Sequence, residues 1–300
     1  MPRVGFGTVT VHVLALLGGG LADPEAPLLR VDDLGVTRGD GVFETVLVVD
    51  GAPCELEPHL ARLARSAAML DLPAPDLAAW RACAATAIDG WGGGREATQG
   101  GGREMVLKLV LTRGIEGTGR VTGFATGSPV PDVLLAQRRD GISVVMLTRG
   151  VTPELAGQAP WLLLGAKTLS YATNMAALRH AATRDADDVV FTAPGGAVLE
   201  GPTSSVVVAQ GSTLRTPPPE SGILPGTTQG ALFRGAAAAG WETRVEPLTV
   251  DDLRAADGVW LASSVRLLAR VHTLDGETLP GRGLDLDGLL ADAYGWARTG

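Results

Sequence analysis

Strand-forming runs govern what this chain can fold into: they come in groups, and single helical stretches separate the groups. Residues 42–49 (VFETVLVV) and 104–113 (EMVLKLVLTR) are strand-length and rich in β-branched and aliphatic residues. Asp50-Gly51, directly after the first, is a two-residue hairpin turn. Shorter runs at 4–16, 27–31, 132–137, 142–147, 187–193, 204–209, 257–263 and 266–271 read as strands too, with Gly195-Gly196 as a turn. Helical spacing places Leu60, Leu63, Ala64, Ala67 and Leu70 on one face of a helix over 57–70, with Pro58 in its first turn. Further helices are expected at 75–89, 168–183, 226–239 and 284–297. Residues 90–103 (GWGGGREATQGGGR) read as a surface loop, and 114–130, rich in Gly, Thr and Pro, as a linker. The pattern predicts an α+β fold in two lobes. A chain of 300 residues buries roughly 75% of its unfolded surface, so core size is no limitation.

Charge and composition remove several function classes. Lys and Arg total 25 against 33 Asp and Glu, a net charge of −8, which is the wrong sign for a nucleic-acid footprint. Four scattered histidines and two cysteines supply no paired metal-ligand motif. Cys54 and Cys83 cannot make a disulfide framework, so a reducing cytoplasm is the expected compartment. The apolar run 4–16 is shorter than a bilayer crossing, so no membrane partner is expected. There is no GxSxG elbow and no GxxxxGK[ST] phosphate loop.

The basic residues are more informative. Of the 25, 23 are Arg and two are Lys, Lys108 and Lys167. Where Arg so readily replaces Lys, a surviving lysine hints at chemistry that a guanidinium cannot do, because only an amine can lose its proton and bond a carbonyl carbon. Lys108 lies midway along its strand. Lys167 is followed by Tyr171 and Asn174 at i+4 and i+7, which share a face if the helix begins at Lys167. On spacing alone, an ordinary charge with a packed stem is the plainer reading of either lysine. Downstream, Glu200 opens an EGPTS turn between apolar strands and needs a cationic partner or a protonated ring nitrogen. Gly226, Thr227 and Thr228 open a helix whose free N–H groups and hydroxyls suit a phosphate, or a plain N-cap.

Taken together and in order, the segments GDGVFETV (39–46), HLARL (59–63), LKLVLTRG (107–114), KTLS (167–170), LEGPTSSVVV (199–208), LPGTT (224–228) and VWLASSVRLLARV (259–271) resemble the class IV aminotransferase family of pyridoxal 5'-phosphate enzymes. That family includes branched-chain and D-amino acid transaminases and aminodeoxychorismate lyase. The resemblance spans about Val31 to Val271 and implies fold type IV. It expects a small lobe over 1–120, a linker over 121–130, and a larger lobe over 131–300 that carries the cofactor lysine, with the cofactor in the cleft between them. It also implies a homodimer acting on a small-molecule substrate.

The resemblance assigns roles residue by residue. Lys167 matches the lysine that anchors the cofactor covalently and moves the proton. Glu200 matches the carboxylate paired with the pyridine nitrogen, and Arg62 the arginine at the cofactor phosphate. Thr227, Thr228 and Ser264 match phosphate-binding positions, and Leu224 the apolar residue on the ring. GDGVFET and LKLVLTRGIEGTGR look closest to the lyase branch, in which a strand lysine and a loop arginine hold substrate carboxylates. Lys108 fits the first role. Thr118 stands at the position of the second, so Arg113 or Arg120 would have to substitute. The implied activity is therefore release of 4-aminobenzoate and pyruvate from aminodeoxychorismate, with D-amino or branched-chain transamination as the alternative.

Overall fold

The computed structural model describes residues 10–93, 104–281 and 283–296. Two compact units divide the chain. One runs up to Pro131 and takes in Ala166–Tyr171, and the other holds Asp132–Gly165 and the chain from Ala172 onward.

The first unit is built on a six-stranded antiparallel sheet in the order β2-β1-β6-β5-β3-β4. Its elements are β1 (Val13–Leu16), β2 (Leu21–Ala22), α1 (Leu34–Arg38), β3 (Gly41–Val49), β4 (Ala52–Pro53), α2 (Leu56–Met69), α3 (Leu77–Gly93), β5 (Glu104–Thr112) and β6 (Thr122–Pro129). Asp50 and Gly51 both take positive φ and join β3 to β4 through the Val49–Ala52 pair, as the Asp-Gly signal predicts. Alternation sends Val42, Glu44, Val46 and Val48 to one side of β3 and Phe43, Thr45 and Leu47 to the other. The register pairs Thr45 with Lys108, so Phe43, Thr45 and Lys108 share a face.

Several expectations need correction here. The supposed linker 121–130 is β6, a central strand paired with both β1 and β5. Its glycines are packing sites: a Cβ on Gly123 would meet Leu17 at 2.6 Å, and one on Gly127 would collide with Met105. Residues 27–31 form no strand, and 90–93 end α3; residues 94–103 of the expected loop, and 4–9 of the first run, lie outside the described residues.

The second unit holds a mixed sheet in the order β11-β10-β9-β12-β13-β7-β8, with β14 on β13. Its elements are α4 (Asp132–Asp140), β7 (Ile142–Thr148), α5 (Leu155–Gln158), α6 (Ala172–Ala182), β8 (Asp188–Thr192), β9 (Ser205–Gln210), β10 (Thr213–Thr216), α7 (Thr227–Ala238), β11 (Glu242–Val245), α8 (Val250–Ala255), β12 (Gly258–Ser263), β13 (Leu267–Leu274), β14 (Glu277–Thr278) and α9 (Leu286–Tyr294). The stretch 132–137, expected as a strand, belongs to α4: Asp132 in its first turn and Arg138 and Arg139 in its last complement the helix dipole. One core cluster packs β9, β12 and β13 against α7 and α9 through residues such as Leu232, Trp260 and Leu290. Among the described residues, no helix is long and apolar enough to cross a membrane.

Candidate active site

The lysine segment is extended where the sequence predicts a helix start. The Phe43 N–H donates to the Lys167 carbonyl (3.1 Å), the Leu169 N–H donates to the Gly41 carbonyl (2.8 Å), and Val42 bridges Thr168. These bonds strap 167–169 onto β3, so α6 begins only at Ala172 and Lys167 lies with the first unit, not the second. Tyr171 and Asn174 consequently do not share a helical face with it. Tyr171 stands edge-on to Phe43 (5.4 Å, 83°), whereas the Asn174 amide donates to the Pro202 carbonyl in the second unit. The Lys167 N–H donates to Ser66 Oγ on α2 at 3.0 Å.

Both lysines of the chain meet on one ring. Lys167 Nζ lies 4.5 Å and Lys108 Nζ 4.9 Å from the Phe43 centroid. Lys108 is exposed along its side chain, yet the protein around its ammonium desolvates the charge and lowers its pKa.

On the opposite face of β3, Glu44 is fully buried between the sheet and α2. Arg62 grips it bidentately (Nε to Oε1 2.8 Å, Nη2 to Oε2 2.7 Å), and His59 Nδ1 lies 2.6 Å from Oε2. A carboxylate only accepts, so His59 carries its proton on Nδ1. Burial by itself raises the Glu44 pKa, but Arg62 and His59 outweigh it and hold the carboxyl at about 2. Burial pushes the His59 imidazole below its ordinary value, the Arg62 and Lys167 charges add to that, and Glu44 only partly opposes them. Glu44 was not singled out from sequence. The signal was there, since a charge amid an apolar strand needs a partner, and HLARL supplies two at i and i+3 of a helix.

Arg113, a candidate carboxylate ligand, is otherwise engaged. Its Nε and Nη2 donate to Asp40 (2.6 and 3.2 Å), and it also donates to the carbonyls of Leu70 and Asp71. Its guanidinium clamps 113 to 40 and to the end of α2, which corrects its assignment to substrate. Arg120 is exposed, and its guanidinium has no hydrogen bond or ion pair among the described residues. Thr118 is tied into its own loop, donating from Oγ1 to the Ile115 carbonyl at 2.7 Å.

In the second unit, Glu200 is held at both oxygens. Arg149 Nη1 donates to Oε1 (2.9 Å) and the Leu224 N–H to Oε2 (3.0 Å). Leu224 therefore contributes its backbone to the carboxylate, and its side chain is half-buried. Arg149 was missed in the sequence: it follows β7 with no motif, and only the register β7–β8 brings it near Glu200. Arg149 also donates to the Gly222 carbonyl, which fixes the guanidinium from a second side.

Next to this pair, α7 starts at Gly226 with no side-chain cap. Thr227 Oγ1 lies 3.3 Å from Ser264 Oγ, in the turn between β12 and β13. Thr228 Oγ1 is buried and has no hydrogen-bond partner among the described residues. A Cβ on Gly226 would collide with Ser205 Oγ, so the backbone comes as close to that hydroxyl as a residue allows. An uncapped helix start with an unsatisfied buried hydroxyl beside it suits an anion with several acceptor oxygens. These residues fit the phosphate of a bound cofactor.

Each unit thus carries polar groups of its own: two lysines on one aromatic ring in the first, and in the second a carboxylate held by an arginine and a backbone N–H, close in sequence to a helix start that suits a phosphate. Residues 41–274 match the family described as Amino-transferase class IV, and the chain belongs to that family. It is 47% identical over 275 residues to the bifunctional aminodeoxychorismate lyase / D-amino acid transaminase of Mycobacterium tuberculosis, covering 89% of this chain and 93% of that protein. A hypothetical aminotransferase from Mycobacterium tuberculosis, solved in a PLP-bound form, superposes with a TM-score of 0.90 at 46% identity, covering 94% of this chain and 98% of that one. A fold IV-transaminase from Curtobacterium pusillum superposes with a TM-score of 0.87 at 46% identity, over 93% and 97% of the two chains.

Proposed function

We propose that this pyridoxal phosphate enzyme is an aminodeoxychorismate lyase, converting 4-amino-4-deoxychorismate to 4-aminobenzoate and pyruvate for folate synthesis. The observation that carries the reading is the pair of amines on Phe43. The substrate has an amine on a six-membered ring and two carboxylates further along it. A second cation one ring's width from the anchor lysine suits such a molecule, and Lys108 is that cation. Arg120, exposed in the loop after β5, is the remaining candidate for the other carboxylate. A small amino acid has a single carboxylate next to its amine and has less use for Lys108.

Pyridoxal phosphate, anchored on Lys167, supplies the electron sink. Lys167 Nζ takes the proton from the ring carbon that bears the substrate's amine, and it must be neutral to do so. Glu200 would pair with the pyridine nitrogen, and Arg149 and the Leu224 N–H orient its carboxylate through one bond to each oxygen. Thr227, Thr228, Ser264 and the first N–H groups of α7 would hold the phosphate, and Arg62 would be its cationic partner. Loss of the hydrogen on the amine-bearing ring carbon and cleavage of the bond between the neighbouring ring carbon and the ether oxygen leave an aromatic ring and release enolpyruvate, which takes up a proton to become pyruvate, with no second substrate consumed.

D-amino acid transamination is the second reading, favoured by the similarity to the bifunctional Mycobacterium tuberculosis relative. It uses the same Lys167 and Glu200 but needs a keto acid to restore the cofactor. We further propose a cytoplasmic homodimer. The deciding experiment supplies aminodeoxychorismate with no keto acid. Sustained release of pyruvate and 4-aminobenzoate supports the lyase. No release, with the cofactor absorbance bleached by D-alanine and restored by a keto acid, replaces it with the transaminase.

A further inference from the structure

One buried charged cluster in the second unit has no part in the chemistry above. Arg266 and Asp188, 4% and 1% exposed, form an ion pair at 2.7 Å between Nη1 and Oδ2. Nη1 also donates to Gln137 Oε1 (3.3 Å), while Arg266 Nε and Nη2 are buried with no hydrogen-bond partner among the described residues. A charge pair buried with some of its N–H groups unsatisfied is a poor way to gain stability, since apolar residues of similar volume usually do as well. What the cluster does provide is a fixed position.

Its position is the turn that carries Ser264. Residues 264–266 close the β12–β13 hairpin between the paired Ser263 and Leu267. Leu267 takes a left-handed φ of 58°, which a leucine adopts only when its surroundings impose it. The turn is gripped at two neighbouring points: Arg138 of α4 donates from Nε (3.2 Å) and from Nη2 to the Val265 carbonyl, and Arg266 is drawn into the interior by Asp188 at the start of β8. The residue before both grips is Ser264, whose hydroxyl lies beside Thr227 at the start of α7.

We propose that Arg266, locked by Asp188 and assisted by Arg138, is a positioning residue for the phosphate seat: it holds the 264–266 turn so that the Ser264 hydroxyl stays at the start of α7. This rests on the reading of Ser264 as a phosphate contact. A hydroxyl held in place loses little freedom when the phosphate binds, so the effect is specific to the phosphate and not to the pyridine ring.

The test compares two ligands on apoprotein prepared from the holoenzyme: pyridoxal phosphate and 5'-deoxypyridoxal, which keeps the ring and aldehyde but lacks the phosphate. Arg266→Met is combined with Asp188→Asn so that no carboxylate is left buried and unpaired. The double variant is expected to bind pyridoxal phosphate about tenfold more weakly, the worth of one charge-assisted hydrogen bond, with affinity for the phosphate-free ligand unchanged. Ser264→Ala sets the reference loss. Equal weakening for both ligands, or a lowered Tm with an unchanged affinity ratio, overturns the inference. If the double variant does not fold, Arg138→Met, on the less buried grip, gives the answer by the same ratio. If Ser264→Ala itself leaves the ratio unchanged, Ser264 is no phosphate contact and the inference falls with that reading; a loss in Ser264→Ala alone sinks only the inference.

Discussion

Two Arg–Glu pairs, one in each unit, share the same chemistry and differ in what surrounds them. Glu44–Arg62 is bidentate and sealed, with side chains 0% and 5% exposed and His59 on the same carboxylate. Glu200–Arg149 is bonded through one guanidinium nitrogen, with side chains 14% and 24% exposed and a backbone N–H on the second oxygen. In the sealed pair the carboxylate fixes the direction of the arginine. In the open pair the arginine and the Leu224 N–H fix the direction of the carboxylate. Solvent access, more than partner identity, separates the two pairs: one is sealed from water and the other is not.

The largest effect expected lies outside both pairs and sets the scale for them. Lys167→Ala removes anchor and proton carrier together, so turnover should fall by roughly 10⁴-fold or more with urea stability near wild type. Persistent turnover in that variant sinks the mechanism. Glu44→Gln and Glu200→Gln then set the two pairs against each other. Glu44→Gln leaves a buried guanidinium without its counter-charge and should cost about 3–5 kcal/mol in urea unfolding. Glu200→Gln should cost under about 1 kcal/mol of stability, since its pair is partly screened, while lowering kcat. Similar stability losses in both would erase the distinction drawn here.

Acid sharpens the same contrast. The Glu44 carboxyl is held at about 2 against an ordinary 4.5, so its stabilisation is complete above 4.5 and is lost as pH falls toward 2. His59 acts in the same direction, because its lowered pKa means that the unfolded chain takes up a proton first once pH drops below the ordinary 6.5. Unfolding free energy should therefore decline from about pH 6.5 downward, and Glu44→Gln should flatten the lower part of that curve. An unchanged slope below pH 4.5 in the variant would show that the sealed pair does not govern acid stability. The smallest effect is expected at Lys108→Ala: KM for aminodeoxychorismate rises about tenfold or more, with Tm and D-alanine turnover little changed. Equal losses with both substrates would remove the argument for the two-carboxylate substrate.

How much was legible in advance differs from element to element. The Asp50-Gly51 hairpin, the apolar face of α2 and the start of α7 follow from local rules, because turn chemistry and helical periodicity act over a few residues. The strand β6 was hidden because its glycines look like a linker until Leu17 and Met105 are packed against them. The extension at Lys167 was hidden for the same kind of reason: KTLSYATN can start a helix, and only β3, which pairs with it, makes it straight.

The sequence by itself determined the family and the groups proposed for the chemistry, since an amine, a carboxylate and a helix start opened by Gly-Thr-Thr are properties of residue type and short-range order. Tertiary structure alone decided what each group faces. It spent Arg113 on Asp40, gave Glu200 the partner Arg149 from 51 positions away, and set both lysines on one phenyl ring. Those outcomes depend on strand register and burial, which are settled by packing across the whole sheet and leave no trace in the spacing of residues along the chain.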